Sequence, residues 1–249
     1  MKKRWIALFI ICITLIGTYI FMLFPIHKDS INCSTKINNE VILVAEFGGI
    51  KDETNAFRSI GVVSFKVGDV LYGIGHSTGL DEEKTYSVQK ITPVFIRRSE
   101  KSLGNVLWSF HNLNDISFGT VVSDTDDGLV IDANNFNEQE YSKISIADKI
   151  TSGDAELLMR DKEGKLQSYS VTIEIIVKRG KERLDIFITD EKLKEKTEGI
   201  IPGMSGSPIV QNGKLVGVVS ETYIYEQYKG KGKIIWNIDC IKDNLSNNK

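Results

Sequence analysis

Ser205 stands in the run Gly203-Met204-Ser205-Gly206-Ser207-Pro208. A serine hydroxyl is a weak nucleophile and needs a base within hydrogen-bond reach. The tetrahedral intermediate that follows carries an oxyanion, and fixed backbone N–H groups are suited to it. Glycines at 203 and 206 let the chain turn tightly and let a substrate approach the main chain. The run therefore offers Ser205 as nucleophile and the N–H groups of Gly203 and Ser205 as an oxyanion hole. Pro208 then opens a strand, where a missing N–H is tolerated.

Histidine is the usual base for such a serine, and the chain has three. His27 lies in a polar stretch and His111 in a possible strand. His76 directly follows a β-rich segment, in Gly73-Ile74-Gly75-His76. Histidine comes first and serine 129 positions later. That order, and the turn around Ser205, fit the Gly-x-Ser-Gly-Gly/Ser-Pro pattern of chymotrypsin-like peptidases. A triad acid must accept from the imidazole nitrogen that faces away from serine. Asp115, Asp124, Asp126, Asp127, Asp132 and Asp190 all lie between His76 and Ser205, and spacing does not choose among them. A second motif, Gly75-His76-Ser77-Thr78-Gly79, has the G-x-S-x-G form of an α/β-hydrolase elbow. That elbow opens a helix and needs a histidine late in the chain. Residues 80–85 have no apolar stripe, and no histidine follows His111.

The elements that must hold these residues read as short strands. Val41 to Phe47, Ile60 to Phe65 and Val70 to Ile74 are β-rich, and Lys66-Val67-Gly68-Asp69 turns between the last two. Further strand candidates are Thr92 to Arg97, Val106 to Phe110, Phe118 to Val122 and Leu129 to Ile131. Others are Ala155 to Met159, Ser168 to Val177, Leu184 to Ile188, Ile209-Val210, Leu215 to Ser220 and Ile234 to Ile238. Asn212-Gly213 is a hairpin turn signal. Glu191 to Lys196 is a short helix candidate. Strands at this spacing, with many glycines, indicate an all-β sandwich or barrel. A soft boundary between two β halves is expected at 132–140.

The chain has 249 residues, 41% of them hydrophobic and 26% charged, with net charge -2. That is long enough for a self-sufficient core. It lacks the basic footprint of a nucleic-acid binder. Lys2-Lys3-Arg4 precedes twenty uncharged residues, Trp5 to Phe24. At about 1.5 Å per residue they span a ~30 Å hydrocarbon core. No small-x-small cleavage site follows, so residues 1–24 are expected to be an uncleaved transmembrane helix with its basic end in the cytoplasm. Residues 25–40 read as a stalk and 41–249 as the extracytoplasmic domain. Cys33 and Cys240 could pair as a disulfide or remain thiols; no cysteine set has metal-ligand spacing. Lys229-Gly230-Lys231-Gly232-Lys233 lacks the spacing of a phosphate loop and reads as a solvated hairpin tip. Asp124-Thr125-Asp126-Asp127-Gly128 falls short of an EF-hand loop and reads as a turn. No cofactor is implied.

From about Ile60 to Ile238 the sequence resembles the stage IV sporulation protein B peptidase family, serine peptidases of the chymotrypsin-like clan. The likeness is densest from Ile188 to Ile200 and from Gly203 to Gly217. Leu71-Tyr72-Gly73-Ile74-Gly75-His76 also resembles the family's Tyr-Gly-Ala-Leu-Gly-His. The resemblance implies that His76 is the base, Ser205 the nucleophile and Asp190, fifteen positions earlier, the acid. It implies a chymotrypsin-like double β-barrel, preceded here by the N-terminal transmembrane helix. Family members usually carry a PDZ domain between anchor and peptidase. The roughly 35 residues between Phe24 and Ile60 are too few for one. After the histidine, Ser77-Thr78-Gly79-Leu80-Asp81 replaces the family's glycine-isoleucine and acid.

The expected activity is hydrolysis of protein or peptide substrates outside the cytoplasmic membrane. By resemblance it would serve proteolytic signalling in sporulation, in the space between forespore and mother cell. Substrates would be membrane-linked regulators of an intramembrane protease, or the enzyme's own stalk. The competing expectation is a catalytically silent β-barrel that binds a peptide or protein partner.

Overall fold

The computed structural model describes residues 25–33, 40–98, 106–133 and 136–242. Two short strands come first, β1 (Ile26–Lys28) and β2 (Ser30–Asn32). Six strands follow: β3 (Glu40–Lys51), β4 (Phe57–Val67), β5 (Val70–Gly73), β6 (Ser87–Arg98), β7 (Val106–Thr125) and β8 (Gly128–Asp132). A 3-10 turn at Glu138–Glu140 leads to β9 (Ser142–Ser145) and β10 (Lys149–Thr151). Then come β11 (Gly153–Arg160), β12 (Leu166–Lys178), β13 (Lys181–Ile188), helix α1 (Glu191–Thr197), β14 (Pro208–Gln211), β15 (Lys214–Thr222) and β16 (Lys229–Ile234).

The fold is all-β. Strands β3 to β8 pair in the order β4-β5-β8-β7-β6-β3, and β3 also pairs with β4, which closes the sheet into a six-strand barrel. Strands β11 to β16 repeat the arrangement as β12-β11-β14-β15-β16-β13, closed by β12 on β13. All these pairings are antiparallel. Closure leaves neither barrel with an unpaired edge strand.

Strands β3 to β5 read as nearly continuous apolar runs because both of their faces are covered. Val44, Ile50, Val63 and Leu71 fill the first barrel. Phe47, Val62, Phe65 and Tyr72 belong to the larger core that also takes in the second barrel. Cys33 and Cys240 pack half-buried against that larger core. Residues 26–32, within the expected stalk of 25–40, lie on the second half: β1 pairs with β12 and β2 with β10. Residues past the expected boundary still belong to the first sheet, since β9 pairs with β3. Among the described residues no helix is long and apolar enough to cross a membrane. The apolar leader, 1–24, lies outside the described residues.

Three further expectations are corrected. Val106 to Phe110 and Phe118 to Val122 are parts of one strand, β7, bent by irregularities in its pairing with β6. The run Lys229 to Lys233 is not a hairpin tip but part of strand β16, and the expected strand Ile234 to Ile238 is replaced by a 3-10 turn at Ile235–Asn237. Gly230 and Gly232 are buried, and a Cβ on them would lie 2.6 Å from Ile200 Cδ1 and 3.0 Å from Ile186 Cδ1. Neighbouring isoleucines supply the apolar bulk that the inward positions of β16 lack.

A buried ionic cluster joins the barrels. Glu46 on β3 is 5% exposed. It accepts from Lys90 Nζ on β6 at 2.6 Å and from the Tyr141 hydroxyl at 3.1 Å. Arg160, at the end of β11, lies 3.5 Å from the same carboxylate and donates to Val44 O at 3.0 Å. Burial, then the charge of Glu46, pushes the Tyr141 phenol well above its usual range, so it stays a donor. Glu46→Ala would leave two cations with no buried counter-ion. It is expected to cost about 3–5 kcal/mol, read as a fall in the urea midpoint. A loss well under about 1 kcal/mol would mean that the cluster behaves as a surface pair.

The β3–β4 turn is built around Asp52. Its carboxylate accepts from the Thr54 hydroxyl at 2.6 Å, from Thr54 N and Ala56 N, and from Arg58 Nε at 2.7 Å. The Thr54 hydroxyl, with Arg58 and the two amides, outweighs burial and holds this carboxyl well below the usual carboxylate range. A depressed folded-state pKa contributes stability that is fully present above the unfolded value, about 3.9. It is lost as pH falls through the folded value. Asp52→Asn is therefore expected to be less stable than wild type at pH 7, with the gap closing below about pH 4. Urea melts across that range check this; a gap that stays constant with pH would refute it.

Candidate active site

The nucleophile turn is approached through α1. Asp190 caps the helix, its Oδ1 accepting from Leu193 N at 2.9 Å. Glu198 ends it in the left-handed region (φ 54°). Two tight turns then follow head to tail. Met204 N donates to Ile201 O at 3.1 Å, with Pro202 second and Gly203 third at φ 95°. Ser207 N donates to Met204 O at 3.0 Å, with Gly206 third at φ 92°. A positive φ at the third position is the type II requirement that selects glycine. Gly206 N donates to Val219 O at 2.7 Å. The N–H groups of Met204, Gly206 and Ser207 are thus all engaged. Those of Gly203 and Ser205 have no acceptor among the described residues. These two are the pair that the sequence assigns to the oxyanion hole. Ser205 itself is 8% exposed.

His76 follows β5 after a distorted stretch. Ile74 (φ 65°) and Gly75 (φ 60°) are both left-handed. For a β-branched residue this is a true outlier, of the kind that surrounding packing holds at functional sites. Ile74 is 1% exposed, and its N–H donates to Val62 O at 3.0 Å. Val62 N in turn donates to Ser205 O at 2.7 Å. Val62 on β4 is therefore the shared partner of the nucleophile turn and the histidine segment. The Ser64 hydroxyl, also on β4, donates to Gly206 O. Gly75 lies so close to β15 that a Cβ there would be 2.5 Å from Val219 O. Main-chain contacts thus bring the His76 and Ser205 segments together in the groove between the barrels. Among the described residues no hydrogen bond joins the two side chains to each other. The His76 imidazole is half-buried, with Nδ1 2.7 Å from Ser77 O.

The acids are distributed as follows. Asp190 uses both oxygens on main-chain donors of the second barrel, Leu193 N at 2.9 Å and Ser170 N at 3.4 Å. Among the described residues it makes no hydrogen bond or ion pair with His76. Asp124, at the end of β7, accepts from Thr78 N at 2.9 Å, Leu80 N at 3.0 Å and the Thr78 hydroxyl at 3.1 Å. Asp127 pairs with Lys233 at 2.8 Å, and Asp126 is exposed. The side chain of Asp115 lies outside the described set. His27 sits 3.5 Å from Glu174 on β12, and His111 is on β7 opposite Thr92. Ser77, the other serine candidate, is exposed and is followed by a loop, not a helix. The sequence pattern did not mark Asp124, Val62 or Ser64 as parts of one site. Asp124 was only one acid among several, and the other two act through contacts that no motif encodes.

Met204, beside the nucleophile, reaches a cavity of about 430 Å³ lined also by Phe47, Met159, Tyr169, Leu193 and Thr197. It is of a size to receive an apolar side chain or segment. Among the described residues no group of three or more His, Cys, Asp or Glu side chains is placed to hold a metal ion.

The family model of the SpoIVB peptidase S55 matches residues 65–238. No curated protein sequence matches. Solved structures with a similar backbone include the active form of the Rv3671c protease from M. tuberculosis, at 13% identity and a TM-score of 0.49, covering 81% of each chain. A mutant of the Tobacco Etch Virus protease aligns at 14% identity and a TM-score of 0.47, over 83% of this chain and 79% of that one. Kallikrein-related peptidase 10 aligns at 9% identity and a TM-score of 0.44, over 83% of this chain and 97% of that one.

Proposed function

The chain belongs to the SpoIVB peptidase S55 family and is a serine endopeptidase, and from that premise we propose that Ser205 and His76 carry its chemistry. His76 Nε2 takes the proton of Ser205 Oγ as the oxygen attacks the scissile carbonyl carbon. The N–H groups of Gly203 and Ser205 receive the resulting oxyanion. The C–N bond breaks as His76 returns the proton to the leaving amine, and an acyl-enzyme remains. Water, deprotonated by the same imidazole, then releases the acid and restores Ser205.

The observation that carries this reading is the pair of unengaged N–H groups in a turn whose other amides are all bonded. Support for His76 comes from its segment, which shares Val62 with the nucleophile turn. The test is covalent labelling of the folded full-length chain by a fluorophosphonate at neutral pH. Stoichiometric labelling at Ser205 is expected; labelling elsewhere, or none, counts against the assignment.

We further propose a location and a role for the peptidase. The peptidase is anchored by residues 1–24, with its barrels outside the cytoplasmic membrane, and acts in sporulation-related proteolytic signalling. Its protein substrates are membrane-linked regulators of an intramembrane protease. Support comes from the uncharged leader behind Lys2-Lys3-Arg4 and from the family resemblance. Protease protection in inverted membrane vesicles tests the orientation; digestion of the barrels from the cytoplasmic side would exclude it.

A further inference from the structure

The Ser77–Thr78 peptide group has hydrogen bonds on both of its ends. Its carbonyl oxygen lies 2.7 Å from His76 Nδ1. A carbonyl oxygen can only accept, so Nδ1 must carry the proton and the lone pair of the neutral ring is left on Nε2. The N–H of the same peptide group donates to Asp124 Oδ1 at 2.9 Å. The chain of bonds therefore runs from the Asp124 carboxylate through one planar amide to the imidazole.

We propose that Asp124 is the positioning residue for His76 and acts through the Ser77–Thr78 peptide group instead of by direct contact. A carboxylate on the N–H polarises the amide and makes its oxygen a stronger acceptor. That bond fixes the imidazole tautomer with Nε2 free to take the nucleophile's proton. It also stabilises the imidazolium that forms when the proton arrives. Two further bonds, from Leu80 N and the Thr78 hydroxyl, hold the carboxylate in place. This inference rests on the reading of His76 as the base.

Other charged groups lie on the neighbouring elements. The β5–β8 pairing ends with Gly73 opposite Leu129, next to the β7–β8 turn that carries Asp126 and Asp127. Lys233 on β16 is bound to Asp127 Oδ1 and to Asp126 O, and Asp239 contacts Asp127. Glu221 on β15 is paired with Lys231. Asp81, further along the histidine's own loop, is paired with Lys84. Asp124 differs from all of these in bonding to the peptide group that the imidazole itself uses.

The test is histidine-selective NMR of the full-length chain in the Ser205→Ala background, with His76→Gln to assign the resonance. Neutral His76 is expected as the Nδ1–H tautomer. Asp124→Asn keeps an oxygen for Thr78 N–H but removes the charge. It is expected to move the His76 titration seen by NMR to lower pH, while Asp190→Asn leaves it in place. With Ser205 restored, the acid limb of the kcat/KM profile should move down by the same amount. An unchanged His76 pKa in a folded Asp124→Asn chain overturns the proposal, as does a shift seen only in Asp190→Asn. Should Asp124→Asn not fold, the tautomer of the otherwise unchanged chain still decides: a proton on Nε2 overturns the proposal. Fluorophosphonate labelling of the wild type reports separately on Ser205. Labelling without the pKa shift sinks the peptide relay alone. The shift without labelling sinks the nucleophile assignment and leaves the relay standing.

Discussion

Ser205→Ala is expected to lower peptide hydrolysis by about 10⁴- to 10⁶-fold and to abolish fluorophosphonate labelling, with no loss of stability. The Ser205 hydroxyl has no hydrogen-bond partner among the described residues, so its removal leaves nothing unsatisfied. Its Cβ can stay where the two turns put it. His76→Ala should reach nearly the same floor, because the serine cannot attack without the base. The double variant should lose little more than either single one, since the two residues act as a unit. Ser77→Ala is the matched control. It removes the serine of the other motif, one residue from His76, and should keep activity within a few-fold. Residual activity above about a tenth of wild type in Ser205→Ala, with a normal melting curve, would move the nucleophile elsewhere in the groove. Loss of activity in Ser77→Ala alone would revive the elbow reading.

Much of this arrangement is legible in the sequence because the residue types are constrained by chemistry. A nucleophile turn needs glycine where φ is positive, and Gly203 and Gly206 are at those places. The barrels are legible where one inward face is apolar, as in Ser168 to Val177, found within Leu166–Lys178. They are illegible where the inward face is empty. In β16 the alternation is lysine out and glycine in, so the pattern has the polarity of a loop. The space is filled from the side by Ile200, Ile186 and Ile209, far away in sequence. The same holds for the groove. Val62 links the two halves of the site through its main-chain N–H and C=O, groups that nearly every residue has. Asp190 is singled out as the acid by the family resemblance alone, and any carboxylate just before a helix is also a cap. Sequence position cannot separate those roles; its bonds to Leu193 N and Ser170 N show the capping one.

Gly206→Ala is expected to disable the enzyme from a position that takes no part in proton transfer. Two costs fall on one methyl group. At φ 92° an L side chain is strained, at about 1–3 kcal/mol. The added Cβ would also lie 2.0 Å from Val62 O and 2.6 Å from Ile74 N. Those two atoms are the ends of the hydrogen bond that ties the histidine segment to β4. Neither is the flexible end of a side chain, so relief requires moving backbone, at about 1–3 kcal/mol more. Together this is a large fraction of the ~5–15 kcal/mol that holds a typical domain folded. If the fold survives, the turn must retreat from β4, carrying Ser205 and both oxyanion donors with it. A displacement of about 1 Å can cost 10²-fold in rate. Activity is therefore expected to fall at least about 100-fold, with a clear drop in the urea midpoint. Gly213→Ala separates the two costs. Gly213 is also left-handed, at φ 74°, but nothing lies within 4 Å of its would-be Cβ. It should show the backbone strain alone, as a modest stability loss with kcat/KM unchanged. Equal losses of stability in the two variants would mean that crowding against β4 contributes nothing. Full activity in Gly206→Ala would mean that the nucleophile turn is not held through Val62.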